Sequence, residues 1–160
     1  MRHKISSGLL MYRVKHHLLE VFIAHPGGPF FQYRNEDCWS IPKGEVESEE
    51  SLIEAAQREF QEEVGILPHG PYMELGNIRQ KSGKMVFAWA FEGDYPDDCP
   101  IHSIDFEMEW PPLSGQKCKF PEIDRAGFFP ISEALLKLKA AQHPFLTRLA
   151  ERLKGQLAVP

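Results

Sequence analysis

The stretch from Ser51 to Gly65 constrains the fold more than any other part of the sequence. Ser51 with Glu54 three residues on forms a capping box, Gly65 stands at the C-terminal stop, and the residues between them repeat with helical period. At about 100° per residue, Ile53, Phe60 and Val64 share a narrow arc that has to face a core. Glu59, Glu62 and Glu63 fall together on the neighbouring face, beside Leu52, Ala55 and Ala56. Carboxylates spaced this way are surface neighbours, each pair costing an isolated helix roughly a few tenths of a kcal/mol. In the last turns the helix dipole adds to that cost. A cation has to compensate: either Arg58 and nearby lysines on a solvated acidic face, or a group bound from outside.

The remaining punctuation sets strands around this helix. Ile5 to Val14 and Leu18 to Ala24 read as two strands joined by the polar turn Lys15-His16-His17, followed by the loop His25-Pro26-Gly27-Gly28-Pro29. His16 and His17 lack metal-ligand spacing and are expected in solvent. A short strand is expected at Trp39-Ser40-Ile41, stopping at Pro42. Tyr72 to Arg79 and Met85 to Phe91 read as strands around the turn Lys81-Ser82-Gly83-Lys84, and Ser103 to Trp110 alternates until Pro111-Pro112 ends it. Ser132 is placed to cap a helix from Glu133 to Lys139, and Pro144 to open a last helix that ends before Gly155. This order predicts a layered α/β or α+β domain with a mixed sheet.

Composition bounds the function. At 160 residues the chain has the length of one domain, residues 1–160, and its 42% apolar and 26% charged residues exclude a disordered chain. The net charge of −5 argues against a wholesale binder of long nucleic acid or anionic membrane, which needs a basic face. Cys38, Cys99 and Cys118 form neither a disulfide framework nor a Cys-x-x-Cys site and read as buried thiols in a reducing cytosol, hence a cytoplasmic protein. The run Ile5 to Tyr12 after Arg2-His3-Lys4 faintly resembles a signal peptide, but Arg13 and Lys15 cut it short, and no other run has the length of a membrane span.

Two features favour a bound cation over a solvated acidic face. Ala55 and Ala56 leave room beside the carboxylates, and Trp39-Ser40-Ile41-Pro42-Lys43-Gly44 approaches the helix from a tight loop in which Gly44 offers an unobstructed carbonyl. Carboxylate and carbonyl oxygens suit Mg²⁺ or Mn²⁺. Residues 44 to 66, from Gly44-Glu45-Val46 through Arg58-Glu59-Phe60-Gln61-Glu62-Glu63-Val64-Gly65-Ile66, resemble the Nudix box, Gly-x5-Glu-x7-Arg-Glu-U-x-Glu-Glu-x-Gly-U with U a bulky apolar residue. Every fixed position matches, with Phe60 aromatic where an aliphatic residue is usual. At about 7% usage per fixed residue, such a match arises by chance in about one chain in a million. Ser7 to Tyr12, His25 to Phe30, Trp39 to Glu45, Phe106 to Pro112 and Phe120 to Ala126 resemble a bacterial branch of predicted nucleoside triphosphate pyrophosphohydrolases, so the likeness spans most of the chain.

The resemblance implies an α/β/α sandwich with the box as loop, helix and loop. It implies the Gly44 carbonyl, Glu59, Glu62 and Glu63 as ligands of Mg²⁺ or Mn²⁺, with Arg58 orienting Glu59 or pairing with Glu50. A diphosphate substrate brings further anions into this acidic site, which Coulomb repulsion opposes without metal. Divalent cations bridge carboxylates to phosphate oxygens, neutralise the leaving group and lower the pKa of a bound water. For the general base, Glu59 or Glu63 is one choice and a carboxylate outside the box another. The period of two between 103 and 110 puts Asp105, Glu107 and Glu109 on one face and Phe106, Met108 and Trp110 on the other. Glu107 and Glu109 are therefore expected as extra ligand or base, against a solvent-facing strand.

Lys43, and Arg79, Lys81 and Lys84 around one turn, are expected to meet phosphates, the alternative being exposed loop cations. Phe30, Phe31, Trp39, Trp89, Tyr95 and Trp110 are available to stack a base, although a core claims most aromatics. The expected function is Mg²⁺-dependent hydrolysis of a nucleoside diphosphate linked to a further group X, by attack of metal-activated water on phosphorus. A nucleoside triphosphate, dinucleoside polyphosphate, nucleotide sugar and RNA end stay open as substrates, as does a homodimer. The alternative is a catalytically silent Nudix-fold module that binds nucleotide as a sensor; the retained carboxylates argue for the enzyme.

Overall fold

The computed structural model describes residues 4–96 and 101–156. Cys99, expected as a buried thiol, and Arg2 and His3 lie outside the described residues. The strands are β1 (Ile5–Lys15), β2 (Leu18–Pro26), β3 (Lys43–Glu45), β4 (Met73–Arg79), β5 (Met85–Glu92), β6 (Asp105–Glu109), β7 (Lys117–Pro121) and β8 (Ile123–Pro130). The helices are α1 (Leu52–Val64), α2 (Ile131–Lys137) and α3 (His143–Arg152).

The sheet runs β4-β5-β1-β2-β8, with β3 also paired to β1. It is mixed: β1 lies parallel to β5, with Leu9 opposite Trp89, and antiparallel to β2. The β1–β2 hairpin closes with Lys15 opposite Leu18, so His16 and His17 form a two-residue turn, exposed and both at positive φ (53° and 65°). That turn has the twist that flanking strands require.

Alternation along β1 and β2 divides the interior in two. Leu9, Met11 and Phe22 face Phe60 and Val64 of α1, whereas Leu10, Tyr12, Val21 and Ile23 face Phe145, Leu146 and Leu149 of α3. The result is the expected α/β/α sandwich, with α1, among the described residues, the one helix on its side of the sheet. Ser51 caps α1, its Oγ accepting from the Glu54 amide at 3.2 Å and donating to Glu54 Oε1 at 2.8 Å. Gly65 ends the helix at φ 82°, with its amide bonded to the Gln61 carbonyl at 2.8 Å. No helix among the described residues is long and apolar enough to cross a membrane.

Four expectations need correction. Trp39-Ser40-Ile41 makes only isolated bridges, Ser40 to Ala24 and Trp39 to Leu138, and the regular strand follows Pro42. The Ile41 amide that a ladder would use donates to Gln142 Oε1 at 3.0 Å. The segment from Ser103 forms a shorter strand, β6, which leaves the mixed sheet and, among the described residues, pairs with β7 alone. Ser132 does not cap: α2 begins directly after Pro130 with no side-chain cap, so Ser132 lies inside the helix. The same helix stops at Lys137, and Leu138 turns extended (φ −73°, ψ 142°) because the Lys139 amide bonds the Trp39 carbonyl at 2.9 Å. Pro144 does open the first turn of α3.

Candidate active site

The site is built where β3 meets α1. Gly44 pairs with Ser7 on β1, and the Glu59 carboxylate occupies the space a Cβ on residue 44 would need. Glycine at this position is what lets Glu59 lie against the backbone of β3. One turn on, Glu63 Oε2 accepts from the Lys43 amide at 3.2 Å.

Arg58 gathers the other carboxylates. Its Nε and Nη2 donate to the two oxygens of Glu50 at 2.7 and 3.0 Å, and Nη2 also reaches the Glu45 carbonyl at 3.1 Å. Its Nη1 is shared between Glu59 Oε1 at 2.8 Å and Glu62 Oε2 at 3.2 Å. Both expected partnerships, with Glu59 and with Glu50, are thus made at once. These bonds, the one to Glu50 first, raise the proton affinity of the guanidinium and hold Glu50 below the usual carboxylate range.

Glu63 lies beyond the reach of Arg58's hydrogen bonds. Burial first, and then the charge of Glu59, push its carboxyl up to about 8. Burial also raises Glu59, against the opposing pull of Arg58. Lys43 is affected in the opposite sense: burial, then the charges of Lys139 and Lys84, lower its ammonium to about 8. A cleft of about 170 Å³ opens between these groups, bordered by Lys43, Glu63, Glu122, Lys139 and Ser40.

Two of those residues escaped the sequence. Glu122 stands at the exposed rim between β7 and β8, where surrounding protein atoms and then the charge of Glu62 raise its proton affinity. Its backbone is tied on both sides, the amide to the Ile104 carbonyl at 2.9 Å and the carbonyl to the Gly27 amide at 2.8 Å. Lys139 comes to the cleft because α2 ends early. The only sequence signal for Glu122 is its place in the Phe120 to Ala126 segment.

Several expected residues lie elsewhere. Glu107 sits opposite Lys119 and Glu109 opposite Lys117, both exposed, and Glu109 Oε1 accepts from the Leu113 amide at 2.7 Å. Among the described residues, no hydrogen bond or ion pair joins either to α1 or β3. Arg79 is exposed on β4. Lys84 donates to Glu45 Oε1 at 3.4 Å. Lys81 borders a second cleft of about 350 Å³, which it shares with Lys139, Gln80 and Ser82. Of the aromatics, Trp39, Phe31, Trp89 and Tyr95 pack into or against the two cores, and Phe30 meets Trp110 edge to face at 5.5 Å.

Among the described residues no three acidic, imidazole or thiol side chains converge closely enough to hold a metal as they stand. The donor chemistry nonetheless fits a hard divalent cation. The acidic side chains and the Gly44 carbonyl at the β3–α1 junction offer oxygen, Glu59 is pressed against the Gly44 backbone, and Glu63 is a buried carboxyl beside the charge of Glu59. Arg58 ties Glu59 and Glu62 together from one side through its shared Nη1.

The chain matches the family model for the NUDIX domain over residues 3–149. Its fold is similar to a C. elegans Ap4A hydrolase in a binary complex, with a TM-score of 0.67 at 20% identity, covering 94% of this chain and 98% of that one. It is also similar to the NUDIX domain of Shewanella oneidensis NrtR complexed with ADP ribose, at 0.66 and 16% identity, covering 96% and 90%. A MutT protein from Methanosarcina mazei Go1 gives 0.60 at 21% identity, covering 95% and 96%. At these identities the likeness is one of fold. No sequence among curated proteins matches at a significant level. The family match spans nearly the whole chain, and the chain belongs to the NUDIX domain family of pyrophosphohydrolases.

Proposed function

We propose that residues 1–160 form a single catalytic unit that uses Mg²⁺ or Mn²⁺ to hydrolyse a diphosphate linkage in a nucleoside diphosphate carrying a further group, such as a nucleoside triphosphate or dinucleoside polyphosphate. The observation that carries this reading is the pair of carboxylates at the β3–α1 junction, Glu59 packed against Gly44 and Glu63 accepting from the Lys43 amide, with the second carboxyl pushed up to about 8. Such crowding of acids is costly unless a cation answers it. Gly44, Glu59, Glu62 and Glu63 would hold that cation, which when bound supplies charge neutralisation at phosphoryl oxygens and a lowered proton affinity in its water.

The chain's own groups divide the remaining work. Lys43 and Lys139 hold phosphate oxygens across the cleft, and a phosphate beside Lys43 keeps its ammonium charged. Glu122, at the rim of the cleft with Lys43 and Glu63, accepts the proton of the attacking water, and its raised proton affinity makes it a better acceptor than a free carboxylate. Glu59 is the alternative base inside the box. Arg58 orients Glu59 and offsets Glu50 and Glu62 without touching substrate.

A nucleotide-binding module without catalysis is the competing reading, and the NrtR domain complexed with ADP ribose is a relative of this fold. The full set of box carboxylates favours the enzyme. The deciding experiment is a nucleotide panel with Mg²⁺ in ¹⁸O-labelled water, analysed by product mass. Label in one phosphate product supports hydrolysis and locates the attack. A folded protein that binds nucleotide yet cleaves none of the panel supports the silent module.

A further inference from the structure

His25 takes no part in the chemistry above, yet it is fully buried beside the site with both ring nitrogens engaged. It is 0% exposed. Its Nδ1 lies 2.6 Å from Asp124 Oδ1 and its Nε2 lies 2.6 Å from the Arg34 carbonyl. A carbonyl only accepts, so Nε2 donates, and a ring bonded at both nitrogens cannot turn. Trp39 closes over it edge to face at 5.3 Å.

The Asp124 bond coincides with an irregularity in the sheet. Pairing between β2 and β8 runs from His25 opposite Arg125 to Pro26 opposite Ile123, leaving Asp124 as an extra residue. Further along β8, Ala126 and Phe128 face the α1 side of the sheet. Strict alternation would send Asp124 to that same side, adding another carboxylate to Glu59 and Glu63. Instead Asp124 meets His25 on the Trp39 side, and the next residue, Arg125, lies over the Trp39 ring at 5.6 Å. Two consecutive side chains on one face are the mark of a bulge, and bulges re-aim the residues beyond them. Here the residues beyond are Ile123 and Glu122, both of which border the cleft with Lys43 and Glu63.

We propose that His25 is a positioning residue: its bond to Asp124 holds the bulge in β8, and the bulge holds Glu122 at the cleft. This rests on the role given to Glu122 above. The Gly27 amide, bonded to the Glu122 carbonyl at 2.8 Å, reports the arrangement directly.

The test uses the full chain with His25→Gln, Asp124→Ala and Glu122→Gln, and the double variant of the first and last. In metal-free protein, amide hydrogen exchange at Gly27 and Glu122 is expected to accelerate by about 10-fold or more in His25→Gln and Asp124→Ala, while Leu10 and Val21 in the central strands stay unchanged. With Mg²⁺ and nucleotide, His25→Gln is expected to lower kcat by about 10–100-fold with KM nearly unmoved. Added to Glu122→Gln it should cost almost nothing more, because the two act through one group. Unchanged exchange at Gly27 and Glu122 in the variants overturns the proposal, as do fully additive losses in kcat. If His25→Gln does not fold, Asp124→Ala carries the same readouts, since it leaves the packing of His25 against Trp39 in place. A wild-type kcat in Glu122→Gln would instead refute the role of Glu122, while the exchange data still decide whether His25 holds the bulge.

Discussion

Arg58 and Glu59 are neighbours in sequence whose side chains also meet, Nη1 lying 2.8 Å from Oε1. In metal-free protein this guanidinium is the shared counterion of Glu50, Glu59 and Glu62. Arg58→Ala leaves these carboxylates, and Glu47 at 3.9 Å, without their common cation. Its metal-free stability is expected to fall by about 1–3 kcal/mol, toward the lower end because the side chain is partly solvated. Mg²⁺ should narrow the gap in Tm between variant and parent, because a second cation then offsets the same acids. Thermal unfolding in chelator and in Mg²⁺ checks both parts, and equal Tm values in chelator would contradict the first.

The pH dependence of metal-free stability follows from Glu63 and Lys43. Glu63 ionises from 4.5 in the unfolded chain but only from about 8 in the folded one. Its contribution therefore favours the fold below the lower value and is lost as pH rises through the upper. Lys43 loses its proton near 10.5 when unfolded and at about 8 when folded, so its contribution is present above the upper value and lost as pH falls through the lower. Together they place a minimum in their joint contribution near pH 8. Glu63→Gln should flatten the acid side of that minimum and Lys43→Met the alkaline side. Tm measured in chelator from about pH 5 to about pH 10 tests this.

Metal should bind in competition with the Glu63 proton. The stabilisation conferred by saturating Mg²⁺ is therefore expected to grow as pH rises toward about 8 in the parent and to depend far less on pH in Glu63→Gln. Turnover should vanish in chelator, return with Mg²⁺ or Mn²⁺, and fall to a small residue in a folded Glu63→Gln variant. Near-parent turnover in that variant would remove the carboxylate cluster from the mechanism.

The outer carboxylates separate by position. Glu122→Gln is expected to lower kcat by about 100-fold or more, within the usual contribution of positioned proton transfer. Glu107→Gln and Glu109→Gln, on an exposed ribbon facing Lys119 and Lys117, should keep rates within about 3-fold of the parent. If Glu107→Gln or Glu109→Gln is the damaging change instead, the hairpin of β6 and β7 must swing onto the site during turnover.

The sequence makes α1 and its neighbours legible because local rules act there without competition. Ser51, Gly65 and the spacing of Phe60 and Val64 specify a helix whose acidic edge is readable before any tertiary contact is known. Apart from Ser132, which lies inside a helix that starts directly after Pro130, the failures share one cause, long-range pairing. Trp39 and Ser40 are bridged to Leu138 and Ala24 rather than built into a ladder, and Lys139 is pulled out of helix by the Trp39 carbonyl. Period two singles out Glu107 and Glu109 and is silent on Glu122, because it cannot show that β6 leaves the main sheet or that β8 carries a bulge beside Pro26.

Lys139 gives the last prediction. It borders both the cleft containing Glu63 and the larger one containing Lys81, and after burial its charge is the leading cause of the lowered proton affinity of Lys43. A cation placed between two clefts can serve phosphate groups that extend from the cleavage site toward the 80–82 turn. Lys139→Ala should then raise KM for a nucleoside triphosphate or dinucleoside polyphosphate by about 10-fold or more, the cost of about 1.5–3 kcal/mol for a charge-assisted bond. It should leave kcat nearly unchanged, since the contact is made in ground state and transition state alike. The loss should be smaller for a nucleotide sugar, whose distal group carries no further phosphate. Removing Lys139 also relieves Lys43 of a like charge, so the Lys43 ammonium should hold its proton to higher pH in the variant. Steady-state kinetics on both substrate types decide the matter: equal KM increases would assign Lys139 to the diphosphate itself, and unchanged KM values would remove it from the substrate path.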